Sequence, residues 1–298
     1  MKKLFIVLFV ISFPFVLTGC GGGGGGDSST PTPPVVNESA EGTWTGTVTT
    51  AGKSVGFVGL VSKTGETFFM VADPNYTSLE IITKADEEEK QISREINMAK
   101  AFSPDKEFIL REQQALERLS SLNSVIIYTQ NLSTSGNQFS SYLYSYNYLC
   151  QMNGGYNASG TVITRSTISG NISDPSLGSG SFSFSYDPTY DRGSDLAKLA
   201  GDWTVASAYG SISTQIRSDG TFSGVITPSN VTFSGTFSIL DQAHNCYLIN
   251  FNVNGVGVFN GLAVLADSVP QSGANDVYLA VGRSADGSKV FPLSGQKL

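Results

Sequence analysis

The chain has 298 residues, of which 18 are Lys or Arg and 25 are Asp or Glu, and its formal net charge is −7. This acidic balance argues against a nucleic-acid partner, because contacts to phosphates need a basic face. Charged residues make up only 14% of the chain and 33 residues are glycine, with short apolar runs between turn residues. Such a composition is typical of an all-β protein, and the length is enough for one large or two small domains.

The first twenty residues are organised as a secretory signal. A positive start, Met1-Lys2-Lys3, precedes the apolar run LFIVLFVISFPFV, which is too short to cross a bilayer of ~30 Å as a helix. The tetrapeptide Leu17-Thr18-Gly19-Cys20 resembles the lipobox of bacterial lipoproteins. The resemblance implies a signal peptide over residues 1–19, cleavage after Gly19, and a diacylglycerol anchor and acyl chain (palmitate) on Cys20. The alternative is an ordinary secretory signal with a chance cysteine.

Residues 20–40 form a predicted flexible tether. Six glycines follow Cys20, and a segment rich in Ser, Thr and Pro comes next, a composition that prevents a fixed backbone. Glycine repeats directly after the lipidated cysteine also resemble surface-exposed lipoproteins such as the factor H-binding and transferrin-binding families. These resemblances imply an outer-membrane lipoprotein, held in the membrane by lipid and located at the cell surface or on the periplasmic face.

Two Gly-x-Trp motifs divide the remaining chain into similar halves. Gly42 and Trp44 begin the first half, and Gly201 and Trp203 begin the second. In each half a strand, a turn and another strand follow, which indicates an internal repeat with domains at 41–190 and 191–298. The second half has strand patterns at 202–208, 211–217, 221–227, 231–239, 246–253, 256–266, 276–283 and 288–293. Eight short strands in sequence predict an up-and-down barrel, with a sandwich as the alternative.

The second half resembles lipocalin- and avidin-like (calycin-type) barrels through Gly-x-Trp and through Arg283 in VYLAVGRS. The resemblance implies that the tryptophan closes one end of the barrel and that Arg283 packs over it in a structural cation–π contact. Five bulky residues are expected to fill the interior of this barrel: Phe222, Phe233, Phe237, Phe251 and Phe259.

The first half has strand patterns at 43–49, 54–62, 66–72, 124–130, 138–149, 156–165, 167–173 and 180–186. Between the third and fourth of them, residues about 84–121 are highly charged, with apolar residues at helical spacing and a helix start at Ser103-Pro104-Asp105. The sequence therefore predicts an all-β, mainly antiparallel protein of two tandem barrels, the first carrying an α-helical hairpin insertion. That insertion is either a partner-binding element or a solvated helix pair.

Four alternating tyrosines are the main binding candidates. Tyr142, Tyr144, Tyr146 and Tyr148 would lie on one face of a strand. They form either an exposed platform for a glycan or a protein, or a buried face that fills a groove beneath the inserted helices.

Motifs for catalysis, metal binding or cofactor binding are not recognised, so no cofactor and no enzymatic activity are expected. His244 is interpreted as a solvated turn residue, and Asp187, Asp191 and Asp195 as a polar turn or a calcium site. Cys150 and Cys246 form either a disulfide or two separate thiols. We expect a non-enzymatic binding or adhesion module for a protein or glycan partner. The alternatives are a periplasmic small-ligand carrier, an inhibitor of a protease or lysozyme, and an enzyme.

Overall fold

The computed structural model describes residues 36–50, 53–71, 126–147, 150–174, 178–207, 210–227, 229–268 and 272–298. The signal region, Cys20, most of the tether and the predicted helical insertion at 84–121 lie outside the described residues. Within these ranges no helix has the length and apolar character needed to cross a membrane.

The first half of the chain forms a closed antiparallel barrel. Its neighbouring strands follow the order β4-β3-β2-β1-β9-β8-β7-β6, the pairing of β4 with β6 closes the barrel, and the two-residue strand β5 pairs with the other side of β6. The strands are β1 Gly42–Thr50, β2 Lys53–Val61, β3 Thr67–Val71, β4 Ile126–Thr129, β5 Thr134–Ser135, β6 Gln138–Tyr146, β7 Met152–Ile163, β8 Thr167–Asp174 and β9 Gly178–Asp187.

The second half forms an up-and-down barrel of eight strands, closed by pairing of the first strand with the last. The strands are β10 Gly201–Ser207, β11 Gly210–Ile216, β12 Thr221–Thr227, β13 Val231–Asp241, β14 Cys246–Val253, β15 Gly257–Ala266, β16 Val277–Ser284 and β17 Val290–Lys297. The prediction of an all-β fold with two barrels is therefore confirmed, and the barrels are closed rather than sandwiches.

Each barrel has its own apolar interior, produced by the alternation of inward and outward residues along the strands. The five phenylalanines predicted to fill the C-terminal barrel are all buried in one cluster with Trp203 and Tyr278. In the N-terminal barrel the corresponding cluster contains Trp44, Phe69, Phe182 and Phe184.

The two Gly-x-Trp motifs have the same geometry. The indole N–H of Trp44 donates to the carbonyl oxygen of Ala40 at 2.9 Å, and that of Trp203 donates to Leu199 at 2.8 Å. Both acceptors lie four residues before the tryptophan, and an edge-on tyrosine ring packs on each indole, with centroids 5.4 and 5.3 Å apart. Gly42 and Gly201 have φ of +152° and +137°, values that residues with a Cβ rarely adopt. The glycine therefore sets the backbone path that buries each indole.

The expected contact of Arg283 with the tryptophan is wrong. Along β16, Tyr278 and Ala280 face the barrel interior, whereas Leu279 and Val281 face outward. By the same alternation Arg283 faces outward, and its guanidinium lies over Tyr128 of the other barrel, 4.6 Å from the ring centroid. The cation near Trp203 is instead Lys297, with Nζ 5.2 Å from the indole centroid.

The outer faces of the two barrels meet in a third apolar cluster, which we call the seam. It contains Leu60, Phe68, Ile126, Tyr128 and Tyr146 from the N-terminal barrel and Leu262, Val264, Val281 and Val290 from the C-terminal barrel, together with Cys150, Tyr190 and Cys246. Backbone hydrogen bonds also cross the seam, from Val290 N to Cys150 O and from Met152 N to Ser288 O, each 2.9 Å long. The barrels therefore share buried surface and main-chain bonds.

A short connector joins the barrels. It contains a 3-10 helix, Pro188–Asp191, and one turn of α-helix, α1 Leu196–Leu199. The Arg192 guanidinium between them binds the Asp267 carboxylate through two hydrogen bonds of 2.7 and 2.8 Å. This pair fixes the connector against the loop between β15 and β16.

Candidate functional site

Small polar residues cover the outer side of the N-terminal barrel over β6, β7, β8, β9 and β1. Strand alternation explains this surface, because Phe139, Ala158, Ile172 and Phe182 point inward and the residues between them point outward. Cross-strand pairing aligns one row of these outward residues across five strands: Ser140, Ser159, Asn171, Ser181 and Thr49. We call the polar face the set Thr49, Ser140, Asn157, Ser159, Asn171, Ser173, Ser179 and Ser181.

The polar face lines a shallow open depression of about 490 Å³. None of its lining residues is charged, and most of them are exposed. Thr49 hydrogen-bonds Ser54 through its hydroxyl, whereas the side chains of Ser140, Ser159 and Asn171 make no hydrogen bond within the described ranges. Because hydroxyl and amide groups can both donate and accept, the depression offers neutral hydrogen-bonding groups to a ligand.

Tyr142 lies next to this depression in the sheet, although it is not one of the residues that line it. It lies two residues from Ser140 on β6 and pairs across the strands with Asn157, and 48% of its surface is exposed. Its ring extends over Gly155, where a Cβ would come within 2.5 Å of the Tyr142 hydroxyl oxygen. Tyr144 packs against the ring edge-on, with centroids 5.2 Å apart. Tyr142 is therefore an exposed aromatic ring held beside a polar surface.

The other tyrosines of the candidate set have different positions. Tyr144 is half-buried beneath the Arg283 guanidinium, which lies 5.4 Å from the ring centroid. Tyr146 is fully buried in the seam, and burial raises the pKa of its hydroxyl although Arg283 acts in the opposite direction. Tyr148 lies outside the described residues. Of the three candidate tyrosines that the structure describes, Tyr142 is the most exposed to solvent.

Two of the connector aspartates, Asp187 and Asp195, act as helix caps, as the polar-turn interpretation predicts. A carboxylate oxygen of Asp187 accepts from Thr189 N, and one of Asp195 accepts from Ala197 N, each at 2.9 Å. Asp191 accepts a hydrogen bond from the Tyr186 hydroxyl at 2.9 Å. These contacts give each of the three aspartates a structural role.

Cys150 and Cys246 are both buried in the seam and form no disulfide. Burial raises the pKa of each thiol to about 12. The interpretation as two separate thiols is confirmed, and both thiols are buried.

His244 is less solvated than its turn position suggests. Its side chain is only 20% exposed, and its ring stacks on Tyr190 with centroids 4.9 Å apart. Together with Glu41 and Asp241 it forms the one group of three or more potential metal ligands found in the described ranges. Sequence reasoning missed this group because Glu41 lies about two hundred residues before the other two members.

No protein-family model matches the chain, and no curated protein sequence matches it. The fold defines its class: a protein of two closed antiparallel barrels, eight strands around each, compatible with a calycin-like fold.

Proposed function

We propose that this chain is a lipid-anchored protein of the bacterial outer membrane that binds an uncharged glycan without catalysing a reaction. The observation that carries the proposal is that the exposed ring of Tyr142 lies beside the neutral polar face. Sugars present hydroxyl groups that donate and accept hydrogen bonds, together with apolar C–H faces that pack on aromatic rings. The depression of about 490 Å³ is large enough for a short oligosaccharide segment.

Three features make a glycan a better occupant than a protein. The lining residues carry no charge, so the charge pairs that steer many protein partners are missing from this surface. Apart from Ile172, which is only 5% exposed, the lining side chains are short, so the depression offers little large apolar surface to anchor a protein partner. The in-register row repeats the same small polar groups from strand to strand, which suits a polymer of similar units.

The filled interiors argue against the alternative of a small-ligand carrier. The void in the N-terminal barrel, lined by residues such as Phe69, Phe139 and Phe184, has a volume of about 30 Å³. Ligand cavities are typically ~300 Å³ or more, so this space is about that of a single water. The inhibitor alternative is not favoured by any particular observation.

The anchor part of the proposal rests on the lipobox-like Leu17-Thr18-Gly19-Cys20 and the glycine-rich segment after it. Several acyl chains on Cys20 would hold the chain stably at the membrane, since a single acyl chain gives only weak anchoring. The flexible tether would separate the barrels from the lipid. Mass spectrometry of the amino-terminal peptide tests the lipid. Protease treatment of intact cells, compared with permeabilised cells, tests which face of the membrane is occupied.

The glycan part is tested by retention of the full chain, purified in detergent, on immobilised neutral oligosaccharides of hexoses and N-acetylhexosamines. We expect Tyr142→Ala and Asn171→Ala each to reduce affinity about tenfold, the equivalent of ~1.4 kcal/mol. Val258→Ala is the matched control, because Val258 is 53% exposed on the C-terminal barrel. Absence of retention, or equal retention by all four proteins, would overturn the proposal.

A further inference from the structure

A second cluster of chemically reactive side chains lies where the two barrels meet the connector. Glu41 immediately precedes β1 of the N-terminal barrel, whereas Asp241 ends β13 and His244 lies in the turn before β14 of the C-terminal barrel. Tyr190 of the connector joins them, since its ring stacks on His244 and its hydroxyl donates to Glu41 Oε1 at 2.8 Å. Three segments distant in sequence thus place two carboxylates and one imidazole together.

We propose that Glu41, Asp241 and His244 form a binding site for one divalent transition-metal ion of the Zn²⁺ class, with water as the fourth ligand. His244 Nδ1 lies 3.3 Å from Asp241 Oδ2 and 3.6 Å from Glu41 Oε1. Ligands bound tetrahedrally to zinc at about 2.0–2.2 Å are separated by about 3.3–3.6 Å. The two distances from His244 Nδ1 therefore match those between zinc ligands. All three ligand atoms lie within 4.8 Å of one another, so a modest side-chain movement would let one ion bond all three.

The state of His244 Nδ1 is an independent indication of a ligand. This nitrogen atom is buried and has no hydrogen-bond partner, although both carboxylates approach it. The two oxygens are close enough for an ion pair, but neither has hydrogen-bond geometry toward the nitrogen. A metal ion on the lone-pair axis of Nδ1 would give the imidazole and both carboxylates a partner at once. A direct hydrogen bond between the nitrogen and either oxygen does not form here.

The surrounding contacts orient the carboxylates toward the proposed ion. One oxygen of Asp241 accepts from Ala243 N at 2.9 Å, which leaves Oδ2 for the ion. The Tyr190 hydroxyl donates to Glu41 Oε1, the oxygen that faces His244, and so fixes its position while leaving its second lone pair for the ion. An imidazole ligand favours Zn²⁺, Co²⁺ or Ni²⁺ over Mg²⁺ and Ca²⁺, which prefer sites made of oxygen alone.

Two positively charged side chains lie near the proposed site, and their repulsion of the metal ion would lower its affinity. Lys63 Nζ lies 3.7 Å from Asp241 Oδ2, and an Arg165 nitrogen lies 3.3 Å from His244 Nε2. Both side chains are exposed, by 44% and 56%, and can turn away. Arg165 already has a second partner in Asp191 at 3.1 Å. Since metal on Nδ1 leaves a proton on Nε2, Arg165 must move when the metal binds, and Arg165→Ala should increase affinity severalfold.

The test is calorimetric titration of Zn²⁺ into the full chain after chelator treatment, with Ca²⁺ as the comparison ion. We expect one Zn²⁺ per chain, no comparable Ca²⁺ binding, and at least a tenfold loss of affinity in Glu41→Gln, Asp241→Asn and His244→Gln. Asp219→Asn is the control, because Asp219 lies in an exposed hairpin turn of the C-terminal barrel, where its carboxylate hydrogen-bonds Thr221. Absence of Zn²⁺ binding, or affinity unchanged in His244→Gln, would overturn the site.

A spectrum of the wild-type chain with Co²⁺ keeps the proposal testable if a variant fails to fold. Tetrahedral Co²⁺ gives intense visible absorption bands, whereas octahedral Co²⁺ gives weak ones. Intense bands that Zn²⁺ abolishes at one equivalent would support the site. Weak bands alone would show an adventitious surface ion and contradict it.

Discussion

Arg283 of the C-terminal barrel donates a hydrogen bond from Nε to the hydroxyl oxygen of Tyr146 in the N-terminal barrel, at 2.7 Å. That hydroxyl in turn donates to the carbonyl oxygen of Gly287 at 2.9 Å. The guanidinium also lies over the rings of Tyr128 and Tyr144. A charged group is thus satisfied by hydrogen bonds and aromatic faces inside an otherwise apolar contact. Because this arrangement requires one alignment of the two surfaces, we infer that it fixes how the barrels pack.

Tyr146→Phe should destabilise the protein by about 1–3 kcal/mol, because it leaves both Arg283 Nε and the Gly287 carbonyl without a partner. Chemical denaturation followed by circular dichroism measures this change. Tyr142→Phe is the matched control and should stay within about 0.5 kcal/mol of wild type, since Tyr142 is exposed. Equal stability of the two variants would contradict the role assigned to Tyr146.

The seam should make the two barrels unfold together. Each barrel contains one of the two tryptophans, so Trp44→Phe and Trp203→Phe give chains whose fluorescence reports on one barrel. In these backgrounds we expect both barrels to unfold at similar denaturant concentrations. Adding Leu262→Asp, at a seam position only 2% exposed, should cost about 3 kcal/mol or more and separate the transitions.

The control for the seam is Leu248→Asp. Leu248 is 38% exposed on the outer side of β14, so the same substitution there should leave the transitions together. If Leu262→Asp also left them together, the seam would not be the source of the coupling.

The strands could be predicted because the alternation of apolar residues and the turn residues are local signals. The strand β12, for example, has the predicted bounds 221–227, since Asp219-Gly220 marks the preceding turn and Phe222 alternates with polar neighbours. The outward direction of Arg283 could also have been inferred, because Tyr278 and Ala280 share its strand at inward positions.

The seam and the proposed metal site depend on contacts distant in sequence and could not be predicted in the same way. A local signal for the seam does exist in β15, where Leu262 to Leu265 is apolar on both faces, a pattern typical of a strand buried on both sides. It does not identify the opposite surface. For Glu41 and His244, no pattern of spacing connects residues in different barrels.

Gly155→Ala should displace the Tyr142 ring without unfolding the barrel. An alanine Cβ would come within 2.5 Å of the Tyr142 hydroxyl oxygen, at the far end of a side chain that can rotate away. We expect a loss of glycan affinity similar to that of Tyr142→Ala, with stability changed by less than about 1 kcal/mol. In a double-mutant cycle, Gly155→Ala should have no further effect once Tyr142 is alanine. Additive losses would show that Gly155 acts independently of the ring.

Cys150 and Cys246 should resist alkylation in the folded protein. Because burial raises the pKa of both thiols to about 12, the thiolate, which is the reactive form, is scarce at pH 8. Iodoacetamide labelling with peptide mass spectrometry, which distinguishes these sites from Cys20, should find both thiols unmodified until denaturant is added. Rapid labelling of either thiol under native conditions would contradict its burial in the seam.

Asp267 should contribute to stability at neutral pH and lose this contribution in acid. Its carboxylate is only 1% exposed, and hydrogen bonds from Arg192 and from the backbone N–H groups of Gly273 and Asn275 hold its pKa well below the ordinary value. Because the carboxyl titrates near pH 3.9 in an unfolded chain, the stabilisation is complete above about pH 5 and declines as the pH falls toward the lower folded pKa.

Asp267→Asn should therefore lower the free energy of unfolding at pH 7 by about 1–3 kcal/mol, and the difference from wild type should shrink below about pH 4. Chemical denaturation of both proteins at a series of pH values measures this difference in the free energy of unfolding. Asp202→Asn is the control, since Asp202 is exposed on β10 and its carboxylate accepts a hydrogen bond from Gln215 Nε2 at 3.1 Å. The stability difference between wild type and Asp267→Asn could instead be the same at pH 7 and pH 3. In that case the asparagine would act through altered packing, and the charge of the Arg192 pair would contribute little.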